Sequence, residues 1–171
     1  IDVVERLASE GICVSIDTRH ARVAQAAVEA GASIINDVTG FRDPEMVAVA
    51  QGCDAGLVVM HMGGDDPRTM QDKASYEDVV SEVVDYLKIR ASELEDAGIA
   101  HERICLDPGP GFGKTAKQTL ELMRNFHLVA RLGYPSMVAV SRKSYIGAAY
   151  GIDEPRARDD ASAAEAVMAC E

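Results

Sequence analysis

The 171 residues, 47% of them apolar, are enough to bury one sizeable core. Asp and Glu number 28 against 17 Lys and Arg, a formal charge of −11, which sets nucleic acid and anionic membranes aside as partners on electrostatic grounds. No apolar stretch approaches the ~20 residues of a membrane span and no signal-peptide pattern is visible, so a soluble cytoplasmic enzyme is expected.

The chain opens on Ile1-Asp2-Val3-Val4-Glu5-Arg6-Leu7-Ala8, which has helical spacing and no initiating Met. It closes on Val167-Met168-Ala169-Cys170-Glu171, again with helical character, so both ends are expected to be cut rather than finished. Between them, apolar β-branched runs recur at 12–16, 33–38, 56–60, 103–106 and 136–140. Helical periodicity marks 19–30, 43–51, 75–97, 115–132 and 158–170. Asp43-Pro44 and Ser75 are the expected starts, and Gly31, Gly52, Gly98 and Gly133 the expected stops.

The pattern is β-α repeated, with near-continuous apolar strands, and implies parallel strands covered on both faces. No linker or low-complexity tract interrupts it, so residues 1–171 are expected to form one α/β domain. Two architectures fit, a doubly wound sheet and a (β/α)8 barrel. A doubly wound nucleotide-binding sheet carries its glycine fingerprint after the first strand, whereas here the Gly-rich segment follows the fourth. Polar residues after every strand suit a barrel mouth. About five β-α units in a barrel that typically takes ~250 residues make it a partial one. The cysteines Cys13, Cys53, Cys105 and Cys170 are widely spaced, unlike a disulfide framework or a zinc set, and are expected to be small core residues.

The segment Asp107-Pro108-Gly109-Pro110-Gly111-Phe112-Gly113-Lys114 puts three glycines and two prolines into its last seven residues, directly after an apolar run. Glycine carries an entropic cost and proline removes a donor, so such a loop serves close approach of backbone to a ligand. Its Gly-Lys ending is no phosphate loop, because the spacing G-x-x-x-x-G-K-[ST] requires glycine at 108, where this chain has Pro108. Lys114 therefore receives no catalytic role.

The strand ends read Asp17-Thr18, Asn36-Asp37, His61-Met62, Asp107-Pro108 and Ser141-Arg142-Lys143-Ser144. Around a common axis they would line one pocket. Carboxylates that accept paired N–H bonds, an amide that both donates and accepts, and an ammonium form a recognition set for a planar heterocycle with a donor and acceptor edge. No nucleophile with an adjacent base is evident. Singly, each residue has a plainer use: Asp17-Thr18 as a helix cap, Asn36-Asp37 as a turn pair, Lys143 as a solvated lysine. His61 reads as a satisfied structural histidine, and His20, His101 and His127 as surface residues. Arg68, in the polar loop 63–74, either is solvated or reaches the mouth of the site.

Ser15-Ile16-Asp17-Thr18, Ile34-Ile35-Asn36-Asp37, Met60-His61-Met62-Gly63 with Pro67-Arg68-Thr69-Met70-Gln71, the 107–114 segment and Ser141-Arg142-Lys143-Ser144-Tyr145-Ile146-Gly147 together resemble the dihydropteroate synthase family, in its order and spacing. The resemblance implies a (β/α)8 barrel lacking here its first two strands and its last. It also implies condensation of 6-hydroxymethyl-7,8-dihydropterin pyrophosphate with p-aminobenzoate. By the same resemblance Asp17, Asn36, Met60, Asp107 and Lys143 bind the pterin, with Asp107 and Lys143 catalytic. Phe112, Lys143 and Ser144 border the p-aminobenzoate site, where sulfonamides also bind in the family. Magnesium is implied on the substrate pyrophosphate, with no protein metal site, and a homodimer is implied as the assembly. The alternatives are the pterin-binding domain of a corrinoid-dependent methyltransferase, against which Ser141-Arg142-Lys143-Ser144 speaks, and a non-catalytic pterin-binding module.

Overall fold

The computed structural model of the chain describes residues 1–64, 66, 69–70 and 75–170. Four parallel strands, β1 (Ser15–Asp17), β2 (Ile34–Asp37), β3 (Gly56–Met60) and β4 (Ile104–Asp107), lie side by side in sequence order. Neighbours in space are thus neighbours in sequence, as in a closing barrel, whereas a doubly wound sheet reverses its order partway. The chain is a partial (β/α)8 barrel. The register pairs Asp17 with Asn36, Asn36 with Val58, Val58 with Cys105, and Met60 with Asp107.

Alternation along the strands sorts the side chains. Ile35, Leu57, Val59, Ile104 and Leu106 face the helices and are buried. There they meet Ala24 of α2 (Ala21–Glu29), Met46 and Ala50 of α3 (Pro44–Gln51), and Val83, Leu87, Ala91 and Leu94 of α4 (Val79–Asp96). The helix starts are chemically specified. Asp43 accepts the Glu45 amide with Pro44 in the first turn, and Asp78 accepts the amides of Val80 and Ser81. Thr115 and Gln118 close a reciprocal capping box on α5 (Ala116–Arg124). The first helix, α1 (Asp2–Ser9), buries only Val4, against Ala27 and Ala32.

Several expectations change. The expected start at Ser75 moves to Asp78, whose carboxylate reaches two amides where a Ser75 cap would serve a turn that is not helical. The expected helix 115–132 divides into α5 and α6 (Phe126–Ala130), because the Asn125 side chain donates to the Glu121 carbonyl and its backbone leaves the helical region. The run 136–140 makes a single bridge, Ser136 to Leu106, in place of a ladder. A helix not anticipated from periodicity, α7 (Ser144–Tyr150), follows it, and a 3-10 turn at Pro155–Arg158 leads into α8 (Asp159–Cys170). None of the cysteines is buried: Cys13 and Cys170 are exposed and Cys53 and Cys105 half-buried, all as free thiols. Cys105 has the inward parity of β4, opposite Val58, where the hollow of the sheet is not filled by helices. The segment carrying Pro67, Arg68 and Gln71 lies outside the described residues.

Leu87 is fully buried at the centre of α4 against this core. Leu87→Ala is expected to cost about 2–5 kcal/mol of unfolding free energy, read as a lower midpoint with an unchanged slope in denaturant titration.

Candidate functional site

The inward parity of the strands carries Ser15 and Asp17, Ile34 and Asn36, Val58 and Met60, and Cys105 and Asp107. Asp17 is exposed on this face and does not cap α2: that helix starts at His20, and it is Thr18 Oγ1 that accepts the His20 amide. Asn36 stands beside Asp17, and its Oδ1 is buried without a hydrogen-bond partner among the described residues. An orphaned buried acceptor costs roughly 1–3 kcal/mol, so the position is shaped for an incoming donor.

The next residue, Asp37, has the opposite parity and a local task. Its carboxylate accepts from Thr39 N at 2.8 Å, Thr39 Oγ1 at 2.7 Å and Phe41 N at 2.9 Å, which folds the loop into α3. The turn use of this pair thus belongs to Asp37 and leaves Asn36 unoccupied.

Met60 and Asp107 end β3 and β4 opposite each other, both buried. The Asp107 Oδ1 accepts the Gly109 amide at 2.8 Å. Burial pushes its carboxyl up to about 6, against the Gly109 hydrogen bond and the ammonium groups of Lys143 and Lys114, which pull it down. Above that pH a buried carboxylate faces the hollow with one amide donor. The loop after it depends on glycine: Gly109, at φ +62°, lies so close to the His61 carbonyl that no side chain fits there. Gly113, at φ +63°, would place a Cβ 2.7 Å from the Gly63 Cα.

Lys143 precedes α7 and is half-buried, with its Nζ 4.3 Å from the centroid of the Phe112 ring. Burial lowers its pKa and the Asp107 carboxylate opposes that. The turn that presents it is held from α8. Arg142, at φ +54°, donates its amide to Ser162 Oγ at 2.8 Å and its guanidinium to both Asp159 oxygens. Arg158 donates to the carbonyls of Arg142 and Lys143. Ser144 is exposed on the first turn of α7.

Asp107 and Lys143 thus feel each other's charge, and Lys143 and Phe112 are in contact. Asp17 and Asn36 are neighbours in register. Sequence reasoning left Lys114 without a task, yet it is buried and hydrogen-bonded to His61 Nδ1 at 2.9 Å. His61 is neutral, held down to about 2 by burial and by the charges of Lys114 and Arg42. Arg42 also escaped notice. It donates to the carbonyls of Met62 and Gly64 and to Tyr86 Oη, tying the loop after β2 to the loop after β3. Among the described residues no group of three or more His, Cys, Asp or Glu gathers to hold a metal ion.

Residues 1–171 match the family profile described as pterin binding enzyme. The chain is 44% identical over 170 residues to the dihydropteroate synthase of Neisseria meningitidis serogroup C, covering 98% of this chain and 60% of the relative. A crystal structure of dihydropteroate synthase from Thermus thermophilus in complex with 4-aminobenzoate superposes with a TM-score of 0.94 at 42% identity, over 99% of this chain and 65% of that one. Dihydropteroate synthase from Xanthomonas albilineans in complex with 7,8-dihydropteroate gives 0.89 at 36% identity, over 98% of this chain and 61% of that one. The chain therefore spans about three fifths of the length of the proteins it resembles.

The raised Asp107 carboxyl has a consequence for stability. Between its ordinary 3.8 and about 6 the folded state holds the proton more tightly than the unfolded one, so this group's contribution falls as pH rises through that window. Asp107→Asn is expected to stabilise the fold by about 3 kcal/mol above pH 6, at 1.36 kcal/mol per pKa unit, and to change little near pH 4. Denaturant titrations at the two pH values check it.

Proposed function

The chain belongs to the pterin-binding enzyme family, and from that membership we propose that residues 1–171 form, as one unit, the pterin-binding part of a dihydropteroate synthase. The observation that carries this reading is the inward set of Asp17, Asn36 and Asp107 beside Lys143, with the Asn36 Oδ1 buried and lacking a donor. A pterin edge supplies N–H donors to the two carboxylates and to that amide oxygen, and its ring carbonyl and nitrogen accept from Lys143. Met60, opposite Asp107, gives an apolar wall. Phe112 and Ser144, with the stem of Lys143, border the arylamine. Asp107 and Lys143 are the catalytic groups in this reading, because both touch the pterin whose methylene reacts.

In the reaction the p-aminobenzoate nitrogen forms a bond to the pterin methylene as the carbon–oxygen bond to pyrophosphate breaks, and the amine releases a proton. Positive charge develops on the pterin as the pyrophosphate departs, and the Asp107 carboxylate is placed to stabilise it. Holding the two substrates in line supplies much of the rest. No covalent catalyst is needed. Magnesium, in this reading, would arrive on the pyrophosphate and neutralise its charge there, and no step of this chain's residues is routed through it.

A homodimer is the proposed assembly, supported by the exposed apolar Tyr150, Val167 and Met168 at α7 and α8. The cytoplasm is the proposed location; no described helix is long and apolar enough to cross a membrane. A corrinoid-dependent methyltransferase would use the same pterin pocket, but the relatives reported above are synthases, and the Lys143–Phe112 contact suits an arylamine border.

Two measurements test the proposal. Calorimetric titration with the pterin pyrophosphate is expected to weaken by roughly 1.5–3 kcal/mol in Asp107→Ala, the worth of hydrogen bonds to a charged group. In the unsubstituted protein the affinity is expected to hold above pH 6 and to fall as Asp107 takes up its proton below it. Unchanged affinity in Asp107→Ala refutes its role. Pyrophosphate release that requires p-aminobenzoate is expected of the synthase and not of the methyltransferase.

A further inference from the structure

The proposed reaction makes no use of Lys114, although it is one of the least exposed charged residues of the chain, at 3%. Its Nζ meets His61 Nδ1 and the Gly109 carbonyl at 2.9 Å each, the Phe112 carbonyl at 3.2 Å and the His61 carbonyl at 3.4 Å. All four are acceptors, and among the described residues no carboxylate is within ion-pairing distance of it. Burial draws the Lys114 ammonium down to about 7, which the Asp107 carboxylate opposes. An ammonium offers three N–H donors to such a cage and a neutral amine two, so the cage suits the charged form that prevails below that pH. For His61 Nδ1 to accept, the ring must be neutral with its proton on Nε2, in keeping with its burial between Lys114, Arg42 and the Tyr86 ring.

The cage joins the loop after β3 to the loop after β4, and the latter carries groups for both substrates in the reading above. His61 continues β3 and keeps the register with β4, its amide donating to the Asp107 carbonyl at 2.9 Å. Gly109, gripped through its carbonyl, donates its amide to the Asp107 carboxylate. Phe112, gripped likewise, carries the ring under the Lys143 ammonium, and its carbonyl also accepts the Gly63 amide. Moving Nζ would therefore move both the pterin carboxylate's donor and the arylamine's wall.

A neutral donor could staple the same carbonyls without burying a charge, which is costly when no counter-ion is in contact. The charge has a second effect at this place. The Lys114 ammonium acts on the Asp107 carboxyl in the direction that favours its ionised form, the form that accepts two N–H bonds. The same Lys114 contacts thus set geometry and charge state together.

We propose that Lys114, with His61 as its acceptor, is a positioning residue for both substrates, setting Asp107 through Gly109 and the Phe112 ring through its carbonyl. The inference rests on the synthase reading and assigns to this chain a residue pair that touches neither substrate. It is tested on the intact protein with Lys114→Met, which keeps the volume and removes all donors. The expected result is a folded protein with pterin affinity at least tenfold weaker, a KM for p-aminobenzoate raised more than kcat is lowered, and a midpoint for the pH dependence of pterin binding moved upward. The last readout separates positioning from a simple staple, which would lower the unfolding temperature and leave that midpoint in place.

A folded Lys114→Met with unchanged pterin affinity and midpoint overturns the inference. Should Lys114→Met not fold, His61→Leu and His61→Asn decide. Leu removes the acceptor and is expected to raise the p-aminobenzoate KM severalfold, while Asn, whose side-chain carbonyl can stand where Nδ1 stands, recovers most of the loss. Equal constants for the two overturn it. Failure of the synthase reading has a different signature, absent pterin binding in the unsubstituted protein or no effect of Asp107→Ala, and that result removes this inference as well.

Discussion

Everything at the candidate site depends on the register of four parallel strands. Successive side chains of a strand face opposite ways, so one alignment fixes which carboxylates look into the hollow and which look into the helices. With Asp17 beside Asn36 and Met60 beside Asp107, the polar ends of β1, β2 and β4 share one face with a single apolar wall from β3. Ile16, Ile35 and Leu106, one residue away in each strand, pack on α2 to α4. A slip of one residue would exchange the two sets, burying carboxylates among aliphatic side chains and exposing the core. The apolar face that stabilises the sheet therefore also protects the placement of the site, and selection for packing and for binding act on the same register.

The second constraint is the close passage of the loops that follow β3 and β4. Gly109 against the His61 carbonyl and Gly113 against Gly63 leave no room for a Cβ at either position, and both glycines sit at positive φ. Backbone so close to backbone brings carbonyls together with no strand ladder to satisfy them. Backbone amides meet part of that need, Phe112 N on the Gly109 carbonyl and Gly63 N on the Phe112 carbonyl. The Lys114 ammonium adds to it, converging on carbonyls of both loops and on the His61 ring. The excess of glycine in 107–114 and the burial of its terminal lysine are therefore one feature: the first creates a crowded set of acceptors, the second adds donors to it.

Much of this was legible in the sequence where a residue's task is local or periodic. The apolar run 56–60 coincides with β3, the run 103–106 lies one residue ahead of β4, and the Asp43-Pro44 helix start follows from capping chemistry, signals that act over a few residues. The strand-end candidates Asp17, Asn36, Asp107 and Lys143 were found because a polar residue ending a buried strand is conspicuous. What escaped was set by contacts remote in the chain. Lys114 looks like an ordinary loop lysine until His61, fifty-three positions earlier, is brought to it. The break at Asn125 needs a side chain to prefer its own helix's carbonyl to water. Helix α7 is short and carries Gly147, where the Arg158 guanidinium packs so closely that a Cβ would lie 2.7 Å from it; no periodicity reveals a helix whose small residue is chosen for a partner. Cys105 differs from expectation for a related reason, since its apolar neighbours Ile104 and Leu106 belong to the opposite face of β4, whereas Cys13 and Cys53 lie in connections and Cys170 at the end of α8.

The contrast between two aspartates shows how a candidate binding position differs physically from a structural one. Asp37 is fully buried and has three donors, two from Thr39 and one from Phe41, so its charge is compensated by the loop it organises. Asp107 is nearly as buried and has one, the Gly109 amide, and burial accordingly raises its carboxyl to about 6. Nothing in the fold prevents further donors near Asp107; Lys143 lies close enough to be felt but is turned over the Phe112 ring, and Lys114 is occupied by carbonyls. With the Asn36 oxygen also lacking a donor, the hollow holds two acceptors whose compensation has been left to whatever enters it. Leaving them so costs stability in the empty protein, and that same free energy is returned when a ligand edge of matching N–H groups arrives. The deficit of donors, more than the presence of carboxylates, is what makes this face of the sheet the candidate for binding.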